Sequence, residues 1–405
     1  MLAFILLTSL PAFAEGRGTT PLSAGQKRVD DDVAYLCALV PQKYAYYASR
    51  KDSWVAACAL AHKQVRGVTN GQEALSVFES LIDALYDPHA SLGTNTAQSP
   101  RLIPSGSDVW LEEKGDNIIV AAVRKNGGAD TAGIQVGDIV TAINGQQTQE
   151  ALCRHIHTSC ETAPSEQRQW ALNAAAAGYR HEARSLDILR DGKRKTVTLG
   201  DPVPNLSLPP VTAHMLNDQI GYIRINNSLG NDVTVAAFDK ALERLRGARA
   251  CILDLRDTPG GGNTSVAEPI LGRFIETRQP YQRILPLDKP AYNRQVSPRG
   301  PWTAKGALVV LVGRWTGSMG EGMAIGLDAM GRGTVIGSHM AGLAGGTDGF
   351  TLPATSIPVH FPTYDLAHLN GTARHNWLPP ISVVADEGSG ADRALERAMA
   401  ELGAN

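Results

Sequence analysis

The sequence predicts an α/β multidomain protein: a helical N-terminal region, a small β domain and a larger α/β core. Three observations predict it. Apolar residues recur at helical spacing from about 22 to 97. Short strand-like runs separated by Asn-Gly and Asp-Gly turns fill about 103 to 200. From about 201 to 403, wholly apolar runs alternate with amphipathic stretches, the pattern of a mainly parallel sheet covered by helices.

The helical region reads as Val29 to Val40, Ser53 to Val65 and Gly71 to Tyr86. In the last, Ala74, Phe78, Leu81, Ile82 and Leu85 form one face. Pro88 cannot continue that helix, so Tyr86 to Ser91 becomes a loop placed to enter a site. In the β domain, Val109-Trp110-Leu111 and Ile118-Ile119-Val120 read as early strands. Ser185 to Arg190 and Lys195 to Leu199 close it as a hairpin through Asp191-Gly192. About 147 to 183 reads as a helical insertion. Pro204, Pro209 and Pro210 mark a linker to the core. Core strands are expected near 220–225, 250–255, 307–312 and 333–337. Phe238, Ala241, Leu242 and Leu245 mark the first core helix, and Asp392 to Leu402 the last.

At 405 residues there is room for two or three domains. The net charge of -2 and the absence of a basic block or zinc-knuckle spacing exclude a nucleic-acid partner. Met1 to Leu10 is an apolar run too short to span a bilayer, and Ala12-Phe13-Ala14 follows it as a small-x-small site. We therefore expect a signal peptide over 1–14, although its positive n-region is missing, and a mature chain that is periplasmic or secreted. No later segment is long and apolar enough for a membrane span. Five cysteines fit an oxidising compartment. Cys153 with Cys160, and Cys37 with Cys58, are candidate bridges, while Cys251 sits in a core strand as a buried thiol.

The most informative stretch is Thr316-Gly317-Ser318-Met319-Gly320-Glu321-Gly322. It joins the apolar run Ala307 to Gly313 to a helical face of Met319, Met323, Ala324 and Leu327. Ser318 thus stands at a strand-to-helix turn, where free N–H groups carry partial positive charge. An acyl-transfer nucleophile needs that placement, and so does a plain N-cap serine. A second strand, Cys251 to Arg256, ends in Asp257-Thr258-Pro259-Gly260-Gly261-Gly262. One glycine N–H, of Gly260 or Gly261, together with that of Met319 would form a two-donor oxyanion hole. A phosphate loop is excluded, because no Gly-Lys-Ser/Thr ending is present.

Asp254-Leu255-Arg256, Gly260-Gly261, Ser318 and Glu321 together resemble the C-terminal processing peptidase and tricorn-core family of serine peptidases. Gly221 to Ile225 is similar to that family's opening strand, and Pro379 to Val383 to its closing segment, with Pro380 in place of an aspartate. Ala132-Gly133-Ile134-Gln135-Val136-Gly137-Asp138 and Asn144-Gly145 resemble a PDZ domain. The resemblance implies a ClpP/crotonase-like α/β catalytic core, a polypeptide substrate and no cofactor. A PDZ-like domain implies either capture of a peptide C-terminus by strand addition or a brace.

The family activates its serine in two ways. Its processing branch uses a lysine, but Leu343 occupies that position here, and Lys305 has no evident route to Ser318. Its tricorn-like branch uses a histidine, and His89 in Asp87-Pro88-His89 matches. An imidazole serves as base and then as acid. The branch's orienting glutamate is absent from Thr372 to Leu378, and Pro88 stands where a serine precedes the histidine. Glu321 and Asp365 remain as possible orienting acids, Glu321 having the simpler role of balancing the helix dipole. His339, His360, His368 and His375 share no ligand spacing, so no metal is expected. These readings converge on a serine endopeptidase with Ser318 as nucleophile and His89 as base. The alternative is a catalytically inactive peptidase-fold protein acting as a PDZ-type peptide-binding or scaffold module. A crotonase-like acyl-CoA enzyme is a third reading, disfavoured by the PDZ-like insertion.

Overall fold

The computed structural model describes residues 21–203, 207–383 and 391–403. The expected signal peptide and Pro204 lie outside them.

The N-terminal region consists of α1 (Ala24–Lys43), α2 (Lys51–Gln64), α3 (Gly71–Asp83) and the short strand β1 (Ser91–Leu92). Ser23 and Asn70 cap α1 and α3 by accepting the N–H groups of Gln26 and Glu73. A Cys37–Cys58 disulfide ties α1 to α2.

The PDZ-like domain follows: β2 (Val109–Lys114), β3 (Asn117–Val123), α4 (Gly128–Thr131), β4 (Ile139–Ile143), β5 (Gln146–Gln147), α5 (Thr148–Cys153), α6 (Ser165–Ala177), β6 (Arg184–Arg190) and β7 (Lys193–Leu199). Its sheet runs β2-β3-β4-β6-β7, with β5 beside β4. The β6–β7 turn places Asp191 and Gly192 at φ 50° and 74°, as a two-residue type I′ hairpin requires. The expected insertion is α5 and α6, with Cys153 and Cys160 disulfide-bonded at its start.

The core opens with β8 (Val211–Met215), β9 (Ile220–Ile225), α7 (Val233–Arg244), β10 (Ala250–Asp254), β11 (Asp257–Thr258) and α8 (Thr264–Leu271). Next come β12 (Gln279–Pro286), β13 (Tyr292–Val296), β14 (Ala307–Val312), β15 (Trp315–Thr316) and α9 (Met319–Ala329). It closes with β16 (Thr334–Gly337), β17 (Gly346–Thr351), β18 (Pro358–Ala367), β19 (Ile381–Ser382) and α10 (Arg393–Glu401). The main sheet has the order β19-β16-β14-β10-β9-β8, parallel except where β8 meets β9. β14 is apolar throughout, and β10 is apolar from Ala250 to Leu253, because both faces are covered, one by α7, α8 and α9, the other by α10.

A second sheet departs from the simple alternation expected of the core. It is antiparallel, ordered β1-β18-β12-β13, with β17 also on β18. The N-terminal helices pack on it, so Phe78, Leu81 and Leu85 share a core with Leu352, Val359 and Phe361. β1 joins the sheet by pairing Ser91 with His360 and Leu92 with Val359. That pairing anchors the loop before it, which carries His89.

Candidate active site

Two central strands, β10 and β14, deliver the Ser318 turn and the glycine turn to one place. β11 and β15 pair in parallel, Asp257 with Trp315 and Thr258 with Thr316. The Gly317 N–H then donates to the Thr258 carbonyl at 3.1 Å, and the Thr316 hydroxyl to Leu255 at 2.8 Å. A Cβ on Gly317 would lie 2.9 Å from the Pro259 carbonyl oxygen, so only glycine fits this crossing. Ser318 follows with φ 51° and ψ -111°, a conformation that strains any residue with a Cβ. In this conformation its hydroxyl lies within hydrogen-bond distance of His89.

His89 reaches the same point from the end of α3. Asp87 accepts the His89 N–H through Oδ1 at 2.8 Å and the Tyr44 hydroxyl through Oδ2 at 2.8 Å. His89 Nδ1 lies 2.8 Å from the Ala344 carbonyl oxygen, and Nε2 lies 3.0 Å from Ser318 Oγ. A carbonyl only accepts, so Nδ1 carries the proton and the neutral ring leaves Nε2 to accept from the serine. Burial, with Arg374 second, pushes the His89 pKa down to about 4, while the Ala344 and Gly345 backbone opposes the shift.

Glu321, fully buried one turn into α9, does not touch His89. It accepts the N–H groups of Ser318 at 2.8 Å, Gly342 at 2.9 Å and Leu343 at 3.2 Å. Burial pushes its carboxyl up to about 7 against Arg374 and those three N–H groups. Asp365 is also off the histidine: it accepts the Tyr46 hydroxyl at 2.5 Å from β18. Neither expected acid orients His89, because a backbone carbonyl already fills Nδ1. Gly260 departs from expectation too, since its N–H donates to Asn227 Oδ1 at 2.7 Å. Among the described residues, the N–H groups of Gly261 and Met319 meet no protein acceptor.

The sequence reading passed over Arg374. Only 4% exposed, it donates to the Leu343 carbonyl at 2.6 and 3.0 Å and to the Gly345 carbonyl at 2.5 Å. The signal in the sequence is the basic residue itself, within the Thr372 to Leu378 segment that lacks an acid. Leu343, where a lysine was sought, is buried against the Gly317 turn. Of the late histidines, His368 stacks on Trp377 and bonds Asp328. Among the described residues no group of three or more His, Cys, Asp or Glu is placed to hold a metal. Cys251 is buried in β10, with its thiol pushed up to about 12 by burial.

Residues 219–383 match the profile of peptidase family S41, and residues 119–157 that of a PDZ domain. Most of the core is thus similar to the S41 family of serine peptidases. Members of that family are hydrolases acting on peptide bonds. The carboxyl-terminal-processing protease of Synechocystis is 26% identical over 363 residues, covering 84% of this chain and 77% of that protein. The chloroplastic C-terminal processing peptidase of Tetradesmus obliquus is 26% identical over 240 residues, covering 56% of this chain and 48% of that protein. In fold, the S41 core and its PDZ-like partner superimpose on mature CPAF (TM-score 0.63, 14% identity, 94% of this chain and 97% of that one). They also superimpose on the photosystem II D1 C-terminal processing protease (TM-score 0.58, 17% identity, 94% and 98%).

Proposed function

We propose that this protein is a periplasmic or secreted serine endopeptidase that cleaves polypeptides with Ser318 as nucleophile and His89 as base. The single observation that carries the reading is His89 Nε2 at 3.0 Å from Ser318 Oγ, with Nδ1 engaged elsewhere. Ser318 Oγ attacks the scissile carbonyl carbon while His89 Nε2 takes its proton. The N–H groups of Met319 and Gly261 stabilise the oxyanion. The imidazolium then returns the proton to the leaving amine as the C–N bond breaks, and water repeats the sequence to release the acyl group. The carboxyl-terminal-processing relatives support a polypeptide near its C-terminus as substrate.

The PDZ-like domain serves this site as a brace. β2 is an edge strand, and its outward Leu111 N–H and C=O are already bonded by Asn173 at 2.9 and 3.0 Å. Gln169 adds a third bond to the same carbonyl at 2.5 Å. α6 therefore occupies the β2 edge at Leu111, which disfavours strand addition of a peptide there. Trp315, three residues before the nucleophile, donates to Pro104 at 3.1 Å and Ser107 at 2.9 Å and packs on Trp110.

A fluorophosphonate probe tests the proposal. The wild type is expected to label at one site, Ser318→Ala not at all, and His89→Ala at a rate about 10²–10⁴-fold lower. A folded wild type that fails to label would sink it.

A further inference from the structure

The loop from Ala341 to Gly346 is held by two buried groups of opposite charge. Glu321 takes the N–H groups of Gly342 and Leu343. Arg374 takes the carbonyls of Leu343 and Gly345. Between those two carbonyls lies Ala344, and its own carbonyl meets His89 Nδ1 at 2.8 Å. A carboxylate would hold an imidazole by charge. A peptide carbonyl has no net charge, and it keeps its direction only while its peptide planes are fixed. The guanidinium is a planar fork, and here it is tied to the carbonyl on each side of Ala344.

We propose that Arg374 is the positioning residue of the Ser318–His89 pair, aiming the Ala344 carbonyl at His89 Nδ1 and so fixing the tautomer that leaves Nε2 free to take the serine proton. This rests on the proposed Ser318–His89 reading.

Arg374 acts on His89 in a second way. Several groups surround the ring: Arg374 from the turn Arg374–Asn376, Asp87 from its own loop with Tyr44 and Arg50 behind it, and Glu321 from α9. Arg374 is the charged group that bears on the ring most directly, and its positive charge disfavours the imidazolium. The fork and the charge can therefore be separated. Arg374→Lys keeps the charge and loses the fork; Arg374→Gln loses both.

The test uses the full chain with ¹⁵N-histidine, as wild type, Arg374→Lys and Arg374→Gln. NMR reads the His89 tautomer and its titration, and probe labelling reads the rate. The wild type is expected to show the Nδ1–H tautomer. Both variants should mix tautomers and label on the order of a hundredfold more slowly, as a misaimed base does. The His89 titration should rise in Arg374→Gln and stay near wild type in Arg374→Lys. Variants that keep the wild-type tautomer and titration, and label within about twofold of it, would overturn the proposal. Should Arg374→Gln fail to fold, the lysine variant decides the tautomer. A wild type that never labels refutes the catalytic reading alone; the tautomer spectra still support or overturn the role of Arg374.

Discussion

In the proposed reaction His89 is the base, and its environment sets a pH dependence. Only the neutral ring accepts the Ser318 proton. Burial and Arg374 hold its pKa near about 4, against an ordinary value near 6.5. The rate of probe labelling should therefore stay level from neutrality down through pH 6 and fall only as the pH approaches the lowered value. A pH–rate profile whose acid limb centres near 6.5 would show a solvated imidazole instead. The stability linkage has the same sign. A depressed folded pKa contributes stability that is present above the unfolded value and lost as pH falls through the folded one. Glu321 works the other way: its carboxyl is raised to about 7, so its contribution is present below the usual carboxyl value and lost as pH rises through 7. Ser318 adds strain that the surrounding bonds of Gly317, Thr316 and Glu321 hold in place.

Among the elements, the α6–β2 contact makes the sharpest claim. Asn173 and Leu111 are both fully buried, so the bonds between them cannot be replaced by water. The double substitution Asn173→Ala with Gln169→Ala orphans the Leu111 N–H and C=O, at about 1–3 kcal/mol for each group. Urea unfolding should show a loss of that order, and extended peptides should bind the variant and not the wild type. A loss under about 0.5 kcal/mol would mean that the edge is open to solvent. The sequence made some elements legible and hid others for physical reasons. β14 and most of β10 were readable because a strand covered on both faces is largely apolar along its length. The β6–β7 hairpin was readable because Asp191-Gly192 is built for positive φ. β17 and β18 were not: their Gly346, Gly349, Pro358, His360 and Pro362 break any local strand pattern. Their pairing is set by the helices and strands packed around them. The site divides in the same manner. The proposed Ser318 and His89 are legible as candidates because both are side chains at turns. The orienter of His89 was not, because every residue has a carbonyl and only the fold selects Ala344.

At the scale of the whole molecule, the site joins segments far apart in the chain, and the contact between the helical region and the second sheet holds them in register. Phe361 on β18 is fully buried there, stacked on Phe350 at 4.8 Å and edge-on to Tyr44 at 6.2 Å. Tyr44 in turn holds Asp87, which holds the His89 backbone. Phe361→Ala should open a cavity and cost about 3–5 kcal/mol. It should also slow probe labelling, because the chain from Tyr44 to His89 loses its backing. Leu242→Ala supplies the comparison. Leu242 on α7 is also buried, but in the cluster formed by the main sheet and its helices. That substitution should cost about 2–5 kcal/mol and leave labelling of the folded protein unchanged. Labelling rate, measured beside the urea midpoint for both variants, separates the two effects. Equal labelling by both would mean that the β1 pairing and Pro88 fix the His89 loop without help from the helices. Slower labelling in Phe361→Ala alone would make the helical region part of the catalytic assembly, with His89 delivered by a packed interface.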